Sequence, residues 1–596
     1  MRALFISLFM FLLLAGMAQN LIQGRIRDSK SKTPIAYCPV GIKNKNSGGL
    51  TNEEGVFQIK ANEADTLLIK LMGYFDKQVA VKNLLSNPDI YLTEREIKLQ
   101  EVVVTDKKDA LVEIMEKCKI KLMNSESCKS KAYYVLKTGI STQPVELLEC
   151  YYNASFDENK INSLEFKNGR VALADANGFF FVSRDISMAF TMMDLLNEGA
   201  KFPANPFQFR KNKFRKKFNL EMNTVNQNDT LVYVIKFKPK KNEDEIFSGE
   251  MWIEDLSFNV KKINLQIENS YIHPFLPAQK EFGEIKSVSM NITKTYKSEG
   301  QINRPENIYF NYKINYHHLK AKIRFREMDT SFIVEGKGLM NLYDYNQPFF
   351  TPHFRYPEYI DDYRKMSSLP YNEAFWNSCR SLVYSKETQK NILYFKHNGF
   401  LYNYNQSPVD MWSRWKYNKS KHVEGPLGFE HEYVLWSDKW RLHLKKGSLV
   451  RDTSETPQNK TASQTKYSLN IQLYLDVNKM GDTLHFCSAT ILDPFDTFYN
   501  LNEEPQTNCF LNIYFDLYEM ARRNMLREIS NHKYSVAQID SVYKNVTEEM
   551  ERLSTEYTVD TEHGKDLKAM EKWNQKVLLE LNIDNFSVFG LAKRSR

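Results

Sequence analysis

The chain has 596 residues and a formal net charge of +8, from 81 Lys and Arg against 73 Asp and Glu. That length suits three or four domains of ~150 residues, and 42% hydrophobic with 13% aromatic residues excludes a disordered chain. So small a positive surplus identifies no partner by itself.

Residues 1–18 read as a signal peptide. Met1-Arg2 supplies a positive start, Leu4 to Leu14 is apolar apart from Ser7, and Ala15-Gly16-Met17-Ala18 offers small residues for cleavage before Gln19. The run is shorter than the ~20 residues that cross a bilayer. Met17 stands where a lipoprotein signal needs cysteine, so the expectation is export without a lipid anchor, to the periplasm or the outer membrane. That address removes nucleic acid as a partner, and no later apolar segment is long enough to span as a helix. The cysteines number seven, with no C-x-x-C, so neither a zinc site nor a thioredoxin-like motif is expected. Cys118 and Cys128 are the nearest pair for a disulfide; buried free thiols are the alternative.

Residues 19–97 form the first expected domain. Ile22–Ile26, Val40–Ile42, Val56–Lys60 and Leu67–Leu71 alternate as half-buried strands do. Turn residues separate them at Asn44–Gly49 and Asn52–Gly55, where Gly55 supplies a positive φ. The spacing predicts a sandwich of about seven strands. The series Gly24-Arg25-Ile26-Arg27-Asp28, Pro34-Ile35, Gly49 to Phe57 and Gly73-Tyr74 resembles the carboxypeptidase regulatory-like domain. That is a transthyretin-like sandwich common in secreted and envelope proteins of Bacteroidota. Asn52 departs from the family's usual aspartate but can make the same turn. The resemblance implies an accessory module without catalytic residues. No histidine is followed by the H-x-x-E spacing and HExxH is absent, so no zinc peptidase, metal or cofactor is expected. Leu99 to Thr105 looks like the segment joining this sandwich to TonB-dependent receptors. The residues left are too few for a plug and a 22-stranded barrel, so a closing strand and linker is expected instead.

Residues 98–130 follow as linker and helix, with Leu111, Ile114, Met115, Cys118 and Leu122 on one helical face from Ala110 to Met123. Residues 131–342 are expected to be β-rich. A short helix is expected at Asp185 to Leu196, capped by Asp185. The meander Thr230–Phe237, Gly249–Ile253, Lys262–Leu265 is weakly similar to the half-barrel of periplasmic lipoprotein-carrier proteins. The arrangement also looks like an envelope family of unknown function. The run Arg210, Lys211, Lys213, Arg215 is read as a solvated strand edge or loop, with lipid phosphates or acidic glycans as its possible ligands.

Residues 343–509 read as α+β, with helix and turn from Pro357 to Cys379 and strands from Asn391 to His443 and Lys466 to Ile491. Trp412, Trp415, Trp436 and Trp440 stand among basic residues, a pattern for stacking on sugar rings or for packing a β core. Asp493 and Asp496 are the nearest to an acid–base pair. Residues 510–596 read as three helices, and Asp516, Glu519, Arg522 and Arg523 are expected to form surface ion pairs. No serine-nucleophile elbow or phosphate-cradling glycine loop occurs.

The sequence thus predicts a mainly β protein with α elements: a seven-stranded N-terminal sandwich, a β-rich, half-barrel-like middle and a mixed, then helical, C-terminal region. The expected function is non-enzymatic binding or scaffolding in the cell envelope, with envelope proteins, lipid or glycan as partners. The alternatives are a carrier or sensor of an apolar ligand, a glycan-binding protein and, last, a hydrolase.

Overall fold

The computed structural model describes residues 20–45, 48–95, 108–157, 159–174, 186–227, 230–241, 245–277, 283–299, 302–323, 326–356, 361–379, 382–404, 433–439, 441–442, 467–480, 483–493, 498–499 and 504–592. The signal segment, Leu99–Thr105, Asp185, Trp412, Trp415, Trp440 and Asp496 lie outside them. The chain divides into two compact units, one drawn from residues 1–164, 172–348 and 376–400, the other from 165–171, 349–375 and 401–596.

The first unit begins with the sandwich. Its strands are β1 (Asn20–Asp28), β2 (Pro39–Ile42), β3 (Gly48–Leu50), β4 (Val56–Ala61), β5 (Thr66–Ile69), β6 (Lys77–Ala80) and β7 (Asp89–Leu92). They form two sheets, β4-β1-β7 and β3-β2-β5-β6, so the expected seven strands are present. Ile26, Phe57, Leu67 and Ile69 are fully buried between them. Asn52 makes the turn that aspartate would have made, its Oδ1 accepting from the backbone N–H of Glu54 and Val56 at 2.9 Å each. Gly55 has φ +73°, and a Cβ there would sit 2.4 Å from the Ile26 carbonyl oxygen.

The same unit carries most of an eleven-stranded open sheet built from β8 (Cys128–Ile140), β9 (Gln143–Asp157), β10 (Lys160–Ala174), β11 (Phe218–Gln227), β12 (Thr230–Pro239), β13 (Ser248–Glu254), β14 (Val260–Ser270), β15 (Gly283–Glu299), β16 (Ile302–Ile323), β17 (Arg326–Tyr343) and β18 (Gly399–Tyr402), of which residues 165–171 and 401–402 belong to the second unit. Strands β11 to β17 follow one another as an antiparallel meander; β8 then pairs with β17, and β9, β10 and β18 complete the order. Period-2 burial marks the inner face, where Ile308, Phe310, Tyr312, Ile314 and Tyr316 of β16 are buried. Helix α1 (Lys108–Met123) buries Leu111, Met115, Cys118 and Leu122, the face expected from their spacing.

Two local expectations are corrected in this unit. The basic run is neither strand edge nor loop but a seven-residue helix, Lys211–Lys217. It forms because Phe214 is drawn into contact with Phe218 at 5.4 Å, leaving the cations outside. Residues 391–398 are helical too, within Lys386–Asn398, because Ser385 caps that helix by accepting from the Thr388 N–H. Of the helix expected at Asp185–Leu196, the described part runs over Ile186–Met192 and ends short of Leu196.

The second unit contains a three-stranded sheet in the order β19 (Val434–Leu435), β22 (Thr483–Leu492), β21 (Ile471–Met480), and a small pair, β20 (Tyr467–Ser468) with β23 (Phe498–Tyr499). Three helices follow where helical periodicity was read: Pro505–Asn531, Val536–Asp560 and Leu567–Leu581. Phe510, Ile513, Tyr557, Met570 and Val577 form their shared core. Ser535 and Gln538 make a reciprocal capping box at the start of the second helix. Among the described residues no helix is long and apolar enough to cross a membrane, and none of the seven cysteines is joined in a disulfide.

Candidate functional site

The inner face of the large sheet was the expected place for an apolar ligand. Phe190 packs there edge-on against Tyr134 at 5.2 Å, and Phe202 and Phe275 lie 6.1 and 5.8 Å from Phe310. Phe275 also tilts over Tyr312 at 4.5 Å. Tyr312 in turn lies across Gly336, its cross-strand partner, where a Cβ would come within 2.1 Å of the ring. The glycine is what lets the ring lie flat on the sheet. This part of the face is therefore filled with the protein's own aromatic side chains.

Further along the face sits a buried cation. Lys294 Nζ donates to the Asn159 carbonyl and side-chain oxygens, at 3.3 and 3.5 Å, and lies 5.7 Å from the Tyr296 ring centroid. Burial drives its pKa down to about 8, with distant Asp194 opposing the shift. Tyr296 donates to the same Asn159 Oδ1 at 2.9 Å.

The opposite face meets the sandwich. Lys137 on β8 pairs with Glu53 and donates to Thr388 Oγ1 at 2.7 Å. Tyr37 donates to Glu53 at 2.9 Å, and its ring lies 5.7 Å from that of Tyr309 on β16. Burial disfavours the Glu53 carboxylate, but the Lys137 charge and the hydrogen bonds outweigh it and hold the group below its ordinary range. Beside this contact, Tyr133 and Tyr384 both donate to buried Glu149, at 2.8 and 2.5 Å. The sandwich is thus fastened to the sheet by a partly buried polar network.

This docking leaves a cleft of about 380 Å³ between β2 and β3 of the sandwich and the ends of β15, β16 and β17. Lys45, Lys297, Arg304, Glu306 and Tyr345 line it. Two of these are placed by a β-bulge: Thr295 pairs with Asn307 while the next residue, Tyr296, pairs with Pro305, so Glu306 is the extra residue. A bulge re-aims its side chain. Glu306 accordingly lines the cleft and its charge acts on Cys38 and Tyr309. Burial raises the Glu306 pKa, countered in part by Lys297. The Arg304 guanidinium stacks 4.8 Å above the Tyr345 ring, and the Tyr345 hydroxyl is anchored on the Pro305 carbonyl. Lys45 is held by Asp65 at 2.7 Å, and Asp344 by Lys131 at 2.9 Å.

The residues singled out from sequence fall elsewhere. Arg210, Lys211 and Lys213 are exposed at or on the short basic helix, and Arg215 is half-buried there. Trp436 is partly buried in the second unit, where its indole N–H donates to Asp516 at 2.7 Å and Arg441 and Arg523 lie over its ring. The other three tryptophans of the expected row lie outside the described residues. Asp516 and Glu519 are buried, not surface, residues; Arg441 bonds the first at 2.7 Å, and Arg522 and Arg523 the second at 2.6 and 2.9 Å. The helix lies against β22, where Thr490 also donates to Glu519, so its carboxylates face inward. Among the described residues no group of His, Cys, Asp and Glu is placed to hold a metal ion. The sequence reading missed Arg304 and Glu306. The available signal was Pro305, since proline inside a strand marks an edge or a bulge.

Two family models match parts of the chain. The family described as CarboxypepD_reg-like domain matches residues 22–104, and a family of unknown function, DUF5686, matches residues 211–328. The chain carries the first as its N-terminal domain and the second within the large sheet. No curated protein matches. Among solved structures, a LolA superfamily protein from Nitrosomonas europaea aligns at 12% identity over 39% of this chain and 91% of its own, with a TM-score of 0.17. A putative outer membrane lipoprotein-sorting protein domain from Vibrio parahaemolyticus aligns at 9% identity, over 42% and 94%, with a TM-score of 0.18. A DUF1329 family protein from Desulfovibrio piger gives 9% identity, 43% and 96%, and a TM-score of 0.17.

Proposed function

We propose that this is a non-enzymatic binding or scaffold protein of the cell envelope, exported by the signal at residues 1–18 and working in the periplasm or at the outer membrane. The observation that carries the reading is the docked sandwich. Its Glu53 and Tyr37 join Lys137 and Tyr309, and the junction encloses a cleft lined by charged side chains. The module domain then serves as one wall of a ligand site and is not a free tether. A carrier of apolar ligand would use the sheet's inner face; the rings of Phe190, Phe202 and Phe275 occupy part of it, which favours the cleft. The exposed cations Arg210, Lys211 and Lys213 offer a separate contact for lipid headgroups by charge attraction.

The reading is tested on protein recovered from the envelope of its own host. Fractionation should place it in the periplasm or with outer membranes, and native mass spectrometry should show a bound small molecule or partner that a cleft-blocking variant loses. Recovery from cytosol, or a ligand retained when the cleft is blocked, would overturn it.

A further inference from the structure

The junction cleft has walls of definite chemistry. Arg304 makes no ion pair with a described residue; its guanidinium lies over the Tyr345 ring, 4.8 Å from the centroid. Such a fork matches a carboxylate or phosphate. Lys297 lies on the same wall. Glu306, aimed inward by the bulge, has no hydrogen-bond partner for its carboxyl among the described residues, although burial makes its isolation costly. Asn341, Gln347 and the backbone of Gly41, Gly48 and Gly49 supply further polar groups. At about 380 Å³ the space is near the lower end of the ~300–1,000 Å³ typical of small-molecule sites. It therefore suits a compact, hydroxyl-rich molecule.

We propose that the cleft binds an acidic monosaccharide, with the acid group held by Arg304 and Lys297 and a ring hydroxyl donated to Glu306. The proposal rests on the reading of the cleft as the ligand site, and adds the ligand's chemical class. A carboxylate and a phosphate satisfy Arg304 equally, so both are tried.

The experiment is calorimetric titration of the full chain with glucuronate, glucose 6-phosphate, glucose and inorganic phosphate. Arg304→Gln removes the fork. Gly41→Leu fills the cleft, and it is tolerable because a Cβ at Gly41 meets only the Leu68 carbonyl oxygen, at 3.8 Å. Glu306→Gln keeps the shape and removes the charge. Circular dichroism matching the wild type confirms that each variant folds. One or both sugar acids should bind, at least tenfold more tightly than glucose and inorganic phosphate. Arg304→Gln should lose tenfold or more, Gly41→Leu should abolish binding, and Glu306→Gln should weaken it less than Arg304→Gln. Four results would each overturn the inference: neither acid binds, glucose binds as well as the acids, inorganic phosphate binds alone, or binding is unchanged in Arg304→Gln and Gly41→Leu. A different molecule bound in the cleft of the host-purified protein would leave the proposed function standing while removing this ligand class.

Discussion

Two buried lysines, one in each unit, meet the cost of burial in opposite ways. In the second unit Lys167 is 1% exposed and pairs with Asp476, itself 0% exposed. Its ammonium also donates to the Phe350 carbonyl at 2.7 Å and the Val477 carbonyl at 3.3 Å. Asn372 and Asn478 complete the carboxylate at 3.0 and 3.2 Å. Every donor and acceptor is used, so the charge pair can persist without water. In the first unit Lys294 has two long hydrogen bonds to Asn159 and the Tyr296 ring 5.7 Å away, and no carboxylate among the described residues lies close enough to pair with it. There the proton is weakly held. Burial alone does not decide how well a lysine is accommodated; the number of acceptors aimed at it does.

The comparison is broken most severely at Asp476. Replacing it by alanine leaves Lys167 buried and unpaired, and should lower unfolding free energy by about 3–5 kcal/mol. Urea denaturation measures this, and substituting both partners with apolar residues of similar volume should restore most of the loss.

The next effect comes from Lys294 and depends on pH. Its folded pKa of about 8 is below the ordinary lysine value of 10.5, so the unfolded chain binds more protons between those limits. The contribution of Lys294 to stability should therefore rise with pH above 8, by about 2–3 kcal/mol up to pH 10, and is read as the difference between the wild type and Lys294→Met. In the protein as a whole the buried thiols of Cys38, Cys118, Cys487 and Cys509, pushed up by burial, oppose this trend as the unfolded chain begins to ionise, and the buried tyrosines follow at higher pH. Lys294→Met should stabilise the protein at pH 7, and the gain should shrink by pH 10. Thermal melts of both proteins across that range check the sign.

Glu53 and Lys137 are an intermediate case, with side chains 29% and 19% exposed. The depressed Glu53 pKa contributes stability above the unfolded value and loses it as pH falls through the folded one. Glu53→Gln should cost about 1 kcal/mol at neutral pH, and the cost should shrink as the solution is acidified through the folded pKa. The smallest effect is expected at the Ser535 cap, where alanine should cost about 0.5–1 kcal/mol. That residue carries no charge, so its loss should not vary with pH, a control for the three others.

How far the sequence reveals this molecule depends on how local each feature is. Asn52, Gly55 and the alternating runs around them prescribe the sandwich because turn geometry and strand period are settled within a few residues. The three C-terminal helices are legible for the same reason. The helix at Lys386–Asn398 was not, because its apolar residues are few and its Ser385 cap was overlooked. Asp516 and Glu519 are spaced like surface ion pairs, and only tertiary packing shows that they face inward. The cleft was hidden most deeply. Arg304 and Glu306 are set by a one-residue slip between β15 and β16, and register between strands is written in no single segment. The expected carboxylate pair of Asp493 and Asp496 involves a residue outside the described part.

The pairing of β8 with β17 has a consequence for how the chain acquires this structure. Val334 sits opposite Ile140 and Tyr343 opposite Lys131, so this ladder closes a loop of roughly two hundred residues. Closing such a loop is slow and must wait until β17 exists. Until then β8 and the meander ending at β16 each present an unpaired strand edge, the kind of surface that recruits other chains. The last strand of the meander is in effect the keystone of biogenesis. A chain truncated before residue 326 should retain the sandwich and lose the sheet to aggregation, even though most of its strands would already have been made.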